Sequence, residues 1–126
     1  MAQLIADNVR AKPRSVLGLA TGKTPEGVYD RLATLHKEQK LDFSFVTTFN
    51  LDEYLGVPAS DPQSFRSTMD RQLFSKINIK RENTHLPNGM ASDLESECAA
   101  YEKRIMDAGG IDIQLLGIGL NGHLAF

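Results

Sequence analysis

The chain has 126 residues, of which 41% are hydrophobic, and its interleaved acidic and basic side chains give a formal net charge of -2. This length predicts one domain or part of one, and the lack of an extended positive stripe argues against a nucleic-acid partner. The single cysteine, Cys98, excludes an internal disulfide, and no Cys/His cluster suggests zinc. Because the apolar runs are too short to cross a bilayer, we expect no membrane segment and a reducing, cytoplasmic environment.

The hydrophobic pattern alternates between short apolar runs and amphipathic segments, which predicts α/β architecture. In chain order we expect a helix over residues 4–9, further helices starting near residues 24, 61 and 92, and extended segments over residues 15–20, 43–49, 77–79 and 111–118. No helix follows the last strand to cover it. We therefore expect a doubly wound, mostly parallel sheet that is incomplete, with residues 1–126 forming a single α/β domain fragment of a longer domain.

The last helix carries the clearest signals. It is expected to begin at a capping box over residues 92–95, to end at Gly109-Gly110, and to bury an apolar stripe of Leu94, Cys98, Tyr101 and Ile105. This places Cys98 in the core. We expect His36, at a helix end, and His85, in a loop, to be surface residues.

The first strand is followed by a short polar loop of Thr21, Gly22, Lys23 and Thr24. Thr24 is expected to cap the next helix, whose free N–H groups and dipole favour an anion such as phosphate. A plain strand-to-helix turn is the alternative. A nucleotide-binding P-loop is disfavoured, because its spacing would require glycine where Leu17 stands.

The second strand leads into two neighbouring acids, Asp52 and Glu53. Because neighbouring strand residues point to opposite faces, only one of the two is expected to face a given pocket, and we favour Asp52. A carboxylate at a strand exit can act as a general base. The alternative is a pair of solvated acids or a helix cap.

The last strand leads into a glycine-rich segment with Gly117, Asn121 and His123. Glycine lets a ligand approach the backbone, and histidine can move a proton near neutral pH. An ordinary surface histidine is the alternative. All three polar clusters follow strands of one predicted parallel sheet, where ligands bind beyond the carboxyl ends of the strands.

The three motifs, at residues 17–25, 49–56 and 116–126, resemble in their order the glucosamine-6-phosphate deaminase/isomerase family. The Asn-Leu-Asp-Glu-Tyr-Leu-Gly segment at residues 50–56 is the most specific. Related 6-phosphogluconolactonases typically have arginine where this chain has Tyr54, so Tyr54 favours a deaminase. The resemblance implies a Rossmann-like fold.

The resemblance also implies roles for individual residues. Asp52 matches the base that moves a proton between C2 and C1 of the opened sugar, and His123 matches the group that assists ring opening, with Asn121 beside it. Residues Thr21 to Thr24 would hold the sugar phosphate, and the Gly117 amide would contact the sugar. The implied reaction, classed with the hydrolases, releases ammonia and requires no metal or organic cofactor.

Two departures from the family pattern limit this assignment. Lys23 occupies a position where the family often has a small residue, and the family's Phe-Asn-Glu continuation would place a ring-opening carboxylate just beyond Phe126. We therefore expect this chain to be inactive alone. A 6-phosphogluconolactonase-like hydrolase and a non-catalytic fragment that binds sugar phosphates are the alternatives, and a homo-oligomer is compatible with the sequence.

Overall fold

Four strands and four main helices alternate along the part of the chain that the structure describes. The computed structural model describes residues 2–22 and 24–115, with Thr24 described through its main chain only. The strands are β1 (Val16–Leu19), β2 (Thr47–Asn50), β3 (Thr84–His85) and β4 (Ile113–Gln114). The helices are α1 (Ala2–Ala11), α2 (Thr24–Gln39), α3 (Phe65–Gln72) and α4 (Leu94–Asp107), and short 3-10 turns occupy Phe74–Lys76 and Arg81–Asn83.

The sheet has the order β3-β2-β1-β4, and every described pairing is parallel. Progress from β1 to β2 to β3 runs in one direction, and the chain then returns past β1 to form β4. Because crossover connections are right-handed, this reversal places the connecting helices on opposite faces of the sheet. The doubly wound α/β prediction is therefore confirmed.

The two faces of the sheet carry unequal cores. Helices α1, α2 and α3 cover one face, where a large apolar cluster includes Leu17, Leu19 and Val46 of the sheet region. Helix α4 covers the other face with a smaller cluster built around Val16, Phe49 and Tyr101. Along β1, Leu17 and Leu19 belong to the larger cluster and Val16 to the smaller one. Successive side chains of a strand point to opposite faces, and all of β1 is buried, so the strand is covered on both faces.

The predicted start of one helix was wrong, and one predicted extended segment forms no strand. Helix α3 begins at Phe65 rather than near Asp61, because Ser64 caps it by accepting a hydrogen bond from the Ser67 amide, while Asp61 accepts from Gln63 N in a preceding turn. The predicted extended segment at residues 77–79 is not a strand. The third strand is instead β3, so His85 lies in the sheet, stacked on Phe49 at 4.7 Å, and not in a loop.

Strand β2 is also shorter than the predicted apolar run over residues 43–49. Asp42 accepts a hydrogen bond from the Ser44 amide, and Asn78 accepts one from the Phe43 amide. These side chains hold the first part of the run in a turn. Phe43 is nevertheless buried in the larger core, so its hydrophobicity serves packing and not the strand ladder.

Helix α4 was correctly predicted as a helix, but its apolar stripe is only partly buried. Its N-cap is Asp93, whose carboxylate accepts from the Ser96 amide at 3.2 Å, one residue later than the predicted capping box implies. Tyr101 is buried, but Leu94 is 45% exposed and Cys98 is exposed and free. The prediction that Cys98 lies in the core was wrong, because α4 contacts the sheet mainly through the turn that carries Tyr101.

Strand β2 contains a buried hydroxyl that should reduce stability. Thr48 is 1% exposed, and its Oγ1 has no hydrogen-bond partner in the described part of the chain. We expect Thr48→Val to raise the free energy of unfolding by about 1 kcal/mol, because valine keeps the shape and removes an unpaired polar group. Chemical denaturation of the two proteins measures this difference.

Thr84 supplies a matched control in the neighbouring strand. It is also buried, but its hydroxyl accepts from Arg66 at 2.6 Å and donates to the Arg81 carbonyl at 2.7 Å. Thr84→Val should therefore destabilise the chain. Equal effects of the two substitutions would contradict the assignment of Thr48 as the unpaired member.

Candidate functional site

The exit of β1 is held by a buried tyrosine from α2. The Tyr29 hydroxyl donates to the Ala20 carbonyl and accepts from the Ala20 amide at 3.0 Å. Tyr29 is fully buried, and burial raises the pKa of its hydroxyl well above the ordinary value. The hydroxyl therefore stays protonated and fixes the residue from which the Thr21 to Thr24 loop departs.

The loop bends at Gly22, and α2 begins two residues later. Gly22 has a φ of +128°, a conformation that favours glycine. Helix α2 begins at Thr24, one residue before the first helical position predicted at Pro25. The loop thus ends at a helix N-terminus, where free amides and the dipole favour an anion. Lys23 lies outside the described residues.

The exit of β2 is held from the opposite face of the sheet. The Tyr101 hydroxyl lies between two main-chain acceptors, the Asn50 carbonyl and the His85 carbonyl, the latter at 2.9 Å. Burial is the main reason that the pKa of Tyr101 is raised above its ordinary value. One side chain of α4 therefore joins the carboxyl ends of β2 and β3.

Asn50, the last residue of β2, carries an unusual buried amide. Its side chain is fully buried, and neither its Nδ2 nor its Oδ1 has a hydrogen-bond partner among the described residues. Asn50 pairs in register with Leu19, the last residue of β1. The unpaired amide therefore lies at the end of the sheet from which both polar segments leave.

The two acids after β2 have different environments. The Glu53 carboxylate accepts from the Phe65 amide at 2.7 Å and from the Arg66 amide at 3.1 Å, so it is committed to the N-terminus of α3. Asp52 is exposed. Both acids lie beyond β2, so strand alternation does not apply to them; Glu53 acts as a helix cap, and Asp52 remains the candidate base.

Close contacts fix the segment that follows the acids. The Tyr54 ring packs against Phe65 with ring centroids 4.5 Å apart, and the Gly56 amide donates to the Gly89 carbonyl at 2.9 Å. A Cβ on Gly89 would lie 2.0 Å from the Tyr54 carbonyl oxygen, so only glycine allows this approach. Residues 52–56, which we call the Asp52 segment, are thus held against α3 and the turn at Gly89.

The third predicted cluster follows β4, which pairs with β1 on the side opposite β2. Gly117, Asn121 and His123 lie outside the described residues. Within the described part, the Gln114 side chain occupies the space over Gly18, where a Cβ would lie 2.0 Å from Gln114 Oε1. The structure places the exits of β1 and β2, which lead to the first two clusters, side by side.

Sequence reasoning missed the residues that hold these exits. Tyr29 and Tyr101 lie on helices, and a tyrosine in an amphipathic stripe is expected to be core without indicating where its hydroxyl goes. Asn50 was read only as part of a motif. A polar residue at the end of a buried run, with two acids starting two residues later, was the available signal. In residues 2–22 and 24–115 no group of three or more metal-ligating side chains converges, and no helix there could span a membrane.

Comparison with known proteins gives the family. Residues 1–125 match the model of the family described as glucosamine-6-phosphate isomerases/6-phosphogluconolactonase. The chain belongs to this family. The matched range includes all three clusters predicted from the sequence.

Individual relatives within the family point in one direction. The chain is 58% identical to glucosamine-6-phosphate deaminase 1 of Giardia intestinalis, over 100% of this chain and 47% of that protein. A monomeric glucosamine-6-phosphate deaminase superposes with a TM-score of 0.93 at 49% identity, covering 98% of this chain and 51% of the other. The 6-phosphogluconolactonase of Thermotoga maritima superposes with a TM-score of 0.75 at 28% identity, covering 98% of this chain and 58% of the other. The chain spans about half the length of the curated relatives that it matches.

The contribution of the Tyr29 hydroxyl, which bonds to the Ala20 main chain, can be tested by measuring the free energy of unfolding. Tyr29→Phe removes one hydroxyl and leaves the buried Ala20 amide and carbonyl without that partner. We expect the free energy of unfolding to fall by about 1–3 kcal/mol, the usual cost of unpaired buried polar groups. Denaturant titration provides the measurement.

Tyr54→Phe is the matched control for this substitution, because Tyr54 is 51% exposed. Its loss of a hydroxyl should change stability by less than about 0.5 kcal/mol. A Tyr29→Phe protein as stable as the Tyr54→Phe protein would show that the hydroxyl does not hold the β1 exit.

Proposed function

We propose that the full-length protein is a glucosamine-6-phosphate deaminase. The observation that carries the proposal is that β1 and β2 end side by side, because Leu19 pairs with Asn50. The loop that starts at Thr21 and the segment that carries Asp52 therefore leave the sheet next to each other. Relatives named glucosamine-6-phosphate deaminase are 53% to 58% identical to the chain, against 28% for the Thermotoga maritima lactonase. The identities favour the deaminase over its relative.

In this reaction the base acts on the opened sugar. Asp52 takes the proton from C2, the resulting enolamine receives a proton at C1, and water adds at C2 as ammonia leaves. One water is consumed for each ammonia released, which is the reason for placing the reaction with the hydrolases. The product is fructose 6-phosphate. His123 is proposed to assist ring opening, with Asn121 beside it.

The substrate phosphate is proposed to bind at the start of α2. Thr21, Gly22, Lys23 and Thr24 would surround it, and the Gly117 amide would contact the sugar. Support comes from the described main chain, because Gly22 has a positive φ and a helix N-terminus lies at Thr24. A sugar phosphate is thus the proposed partner, and no metal or organic cofactor is required by this chemistry.

Further properties of the whole protein follow from the same assignment. We propose that residues 1–126 are part of a longer sugar-phosphate isomerase domain, since the relatives are about twice as long as the matched region. The exposed free thiol of Cys98 suits a reducing cytoplasm. A homo-oligomer remains compatible with the exposed apolar side chains of α4, among them Met106 at 76% exposure.

An ammonia assay tests the assignment directly. The full-length protein should release ammonia from glucosamine 6-phosphate, and Asp52→Asn should lower kcat by about 10²- to 10⁴-fold with little change in substrate binding, because the amide cannot take the C2 proton. Hydrolysis of 6-phosphogluconolactone without ammonia release would instead favour the lactonase. An Asp52→Asn protein with more than about a tenth of the wild-type kcat would require another base.

The 126-residue chain alone should bind inorganic phosphate weakly but show no turnover. The loop and the helix N-terminus are local features, whereas catalysis needs several groups in one geometry. Titration followed by amide chemical shifts should move the Gly22 signal and leave Ser96, at the start of α4, unchanged. Lys23→Gln should weaken the binding. Shifts at both helix starts would indicate non-specific anion binding only.

A further inference from the structure

Glu53 connects the segment that carries Asp52 to a helix in the core. One carboxylate oxygen accepts from the Phe65 amide at 2.7 Å and the Tyr54 amide at 3.0 Å, and the other accepts from the Arg66 amide at 3.1 Å. Phe65 and Arg66 are the first two residues of α3. Their amides have no acceptor within the helix, so the carboxylate satisfies two free donors at the positive end of the helix dipole.

This contact is more than an ordinary helix cap. Helix α3 already has a cap of its own, because the Ser64 Oγ accepts from the Ser67 amide at 3.1 Å. Glu53 lies 12 residues before Phe65 in the chain, so its side chain joins two separate segments. A local cap would stabilise the helix alone, whereas this one also restrains the segment from which it comes.

Helix α3 is a firm support for that restraint. Met69 is fully buried in the larger core, and the Arg66 guanidinium donates to both the hydroxyl and the carbonyl of Thr84, at 2.6 and 2.9 Å. The helix is thereby fixed to strand β3. A side chain anchored to its first turn is held at a constant position relative to the sheet.

Asp52 lies between two fixed points. Before it, Asn50 is paired with Leu19 and its carbonyl accepts from Tyr101. After it, Glu53 is bonded to α3 and Tyr54 packs on Phe65. Because a single residue separates Asn50 from Asp52, and Glu53 follows directly, little conformational freedom is left to the Asp52 main chain.

We propose that Glu53 is the positioning residue for Asp52 in the deaminase reaction. The inference rests on the proposed function. Glu53 does not touch the substrate; its carboxylate holds the main chain from which the Asp52 side chain projects. The charge of Glu53 is used at the helix N-terminus, where its carboxylate accepts from the Phe65 and Arg66 amides.

The test compares Glu53→Gln with Asp93→Asn in the full-length protein. Glutamine keeps the length of the side chain but replaces one acceptor oxygen with an NH₂ group that faces amide donors. Asp93→Asn makes the same chemical change at the N-cap of α4, where the carboxylate accepts from Ser96 and neither neighbour of Asp93 in the chain is a candidate site residue. Both substitutions weaken a helix N-terminus, and only the first affects the Asp52 segment.

We expect Glu53→Gln to lower kcat about 10- to 100-fold, the scale of a small misplacement of a catalytic group, with KM changed less than about threefold. Asp93→Asn should keep the wild-type kcat. Hydrogen exchange should become faster at the Phe65 and Gly56 amides in Glu53→Gln only. This second readout does not depend on activity and can be made on the 126-residue chain.

The outcomes separate the two hypotheses. A wild-type protein that releases no ammonia overturns the proposed function. An active wild type with an unchanged kcat in Glu53→Gln, alongside a lower Tm, would make Glu53 a helix cap only and overturn the positioning role. A rise in KM at unchanged kcat would also overturn it, because misplacement of the base must slow the chemical step.

Discussion

The parallel pairing of β1 with β2 is the constraint on which the candidate site depends. It aligns Leu19 with Asn50, so that Thr21 and Asp52 each follow two residues after the last aligned pair. A slip of one residue would turn Leu17 and Leu19 away from the larger core. The hydrophobic pattern of the strands thus determines how the loop after β1 and the segment after β2 lie relative to each other.

Where the strands end, tyrosine hydroxyls take the place of the main-chain hydrogen bonds between strands. Tyr29 reaches the β1 exit from one face, and Tyr101 reaches the β2 and β3 ends from the other. Both hydroxyls are buried, which raises their pKa values, so they remain donors across the neutral range. The backbone that leaves the sheet is therefore paired, as buried main chain must be. Rigid exits of this kind suit a site whose parts come from separate segments.

Much of the fold could be predicted from the sequence, because period and composition report on burial. The α/β class and the alternation of helices and strands followed from apolar spacing alone. Boundaries were less certain, since they depend on single side chains such as Ser64 and Asp93, which cap helices near rival candidates. The exposure of Cys98 could not be predicted, because a stripe shows which face of a helix is apolar but not how far the sheet extends beneath it.

The candidate site was predictable in part for a related reason. Polar residues after buried strands identify the edge at which a ligand binds, and the exits of β1 and β2 do lie side by side. The division of labour between Asp52 and Glu53 depended on the start of α3, 12 residues further along the chain. No local pattern could reveal that contact, because it joins segments whose relative position is set by the fold of the sheet.

Strand β2 has buried polar groups at two positions, and each of them should lower the free energy of unfolding. Thr48 and Asn50 lie two residues apart, hence on the same face, and each has buried atoms without a partner in the described part of the chain. Each such group costs about 1–3 kcal/mol, and apolar residues would be favoured by stability alone. Thr48 lies within the strand, where the cost has no evident return. Asn50 lies at the exit beside Leu19 and two residues before Asp52, and departures from local packing rules are expected to concentrate at functional sites.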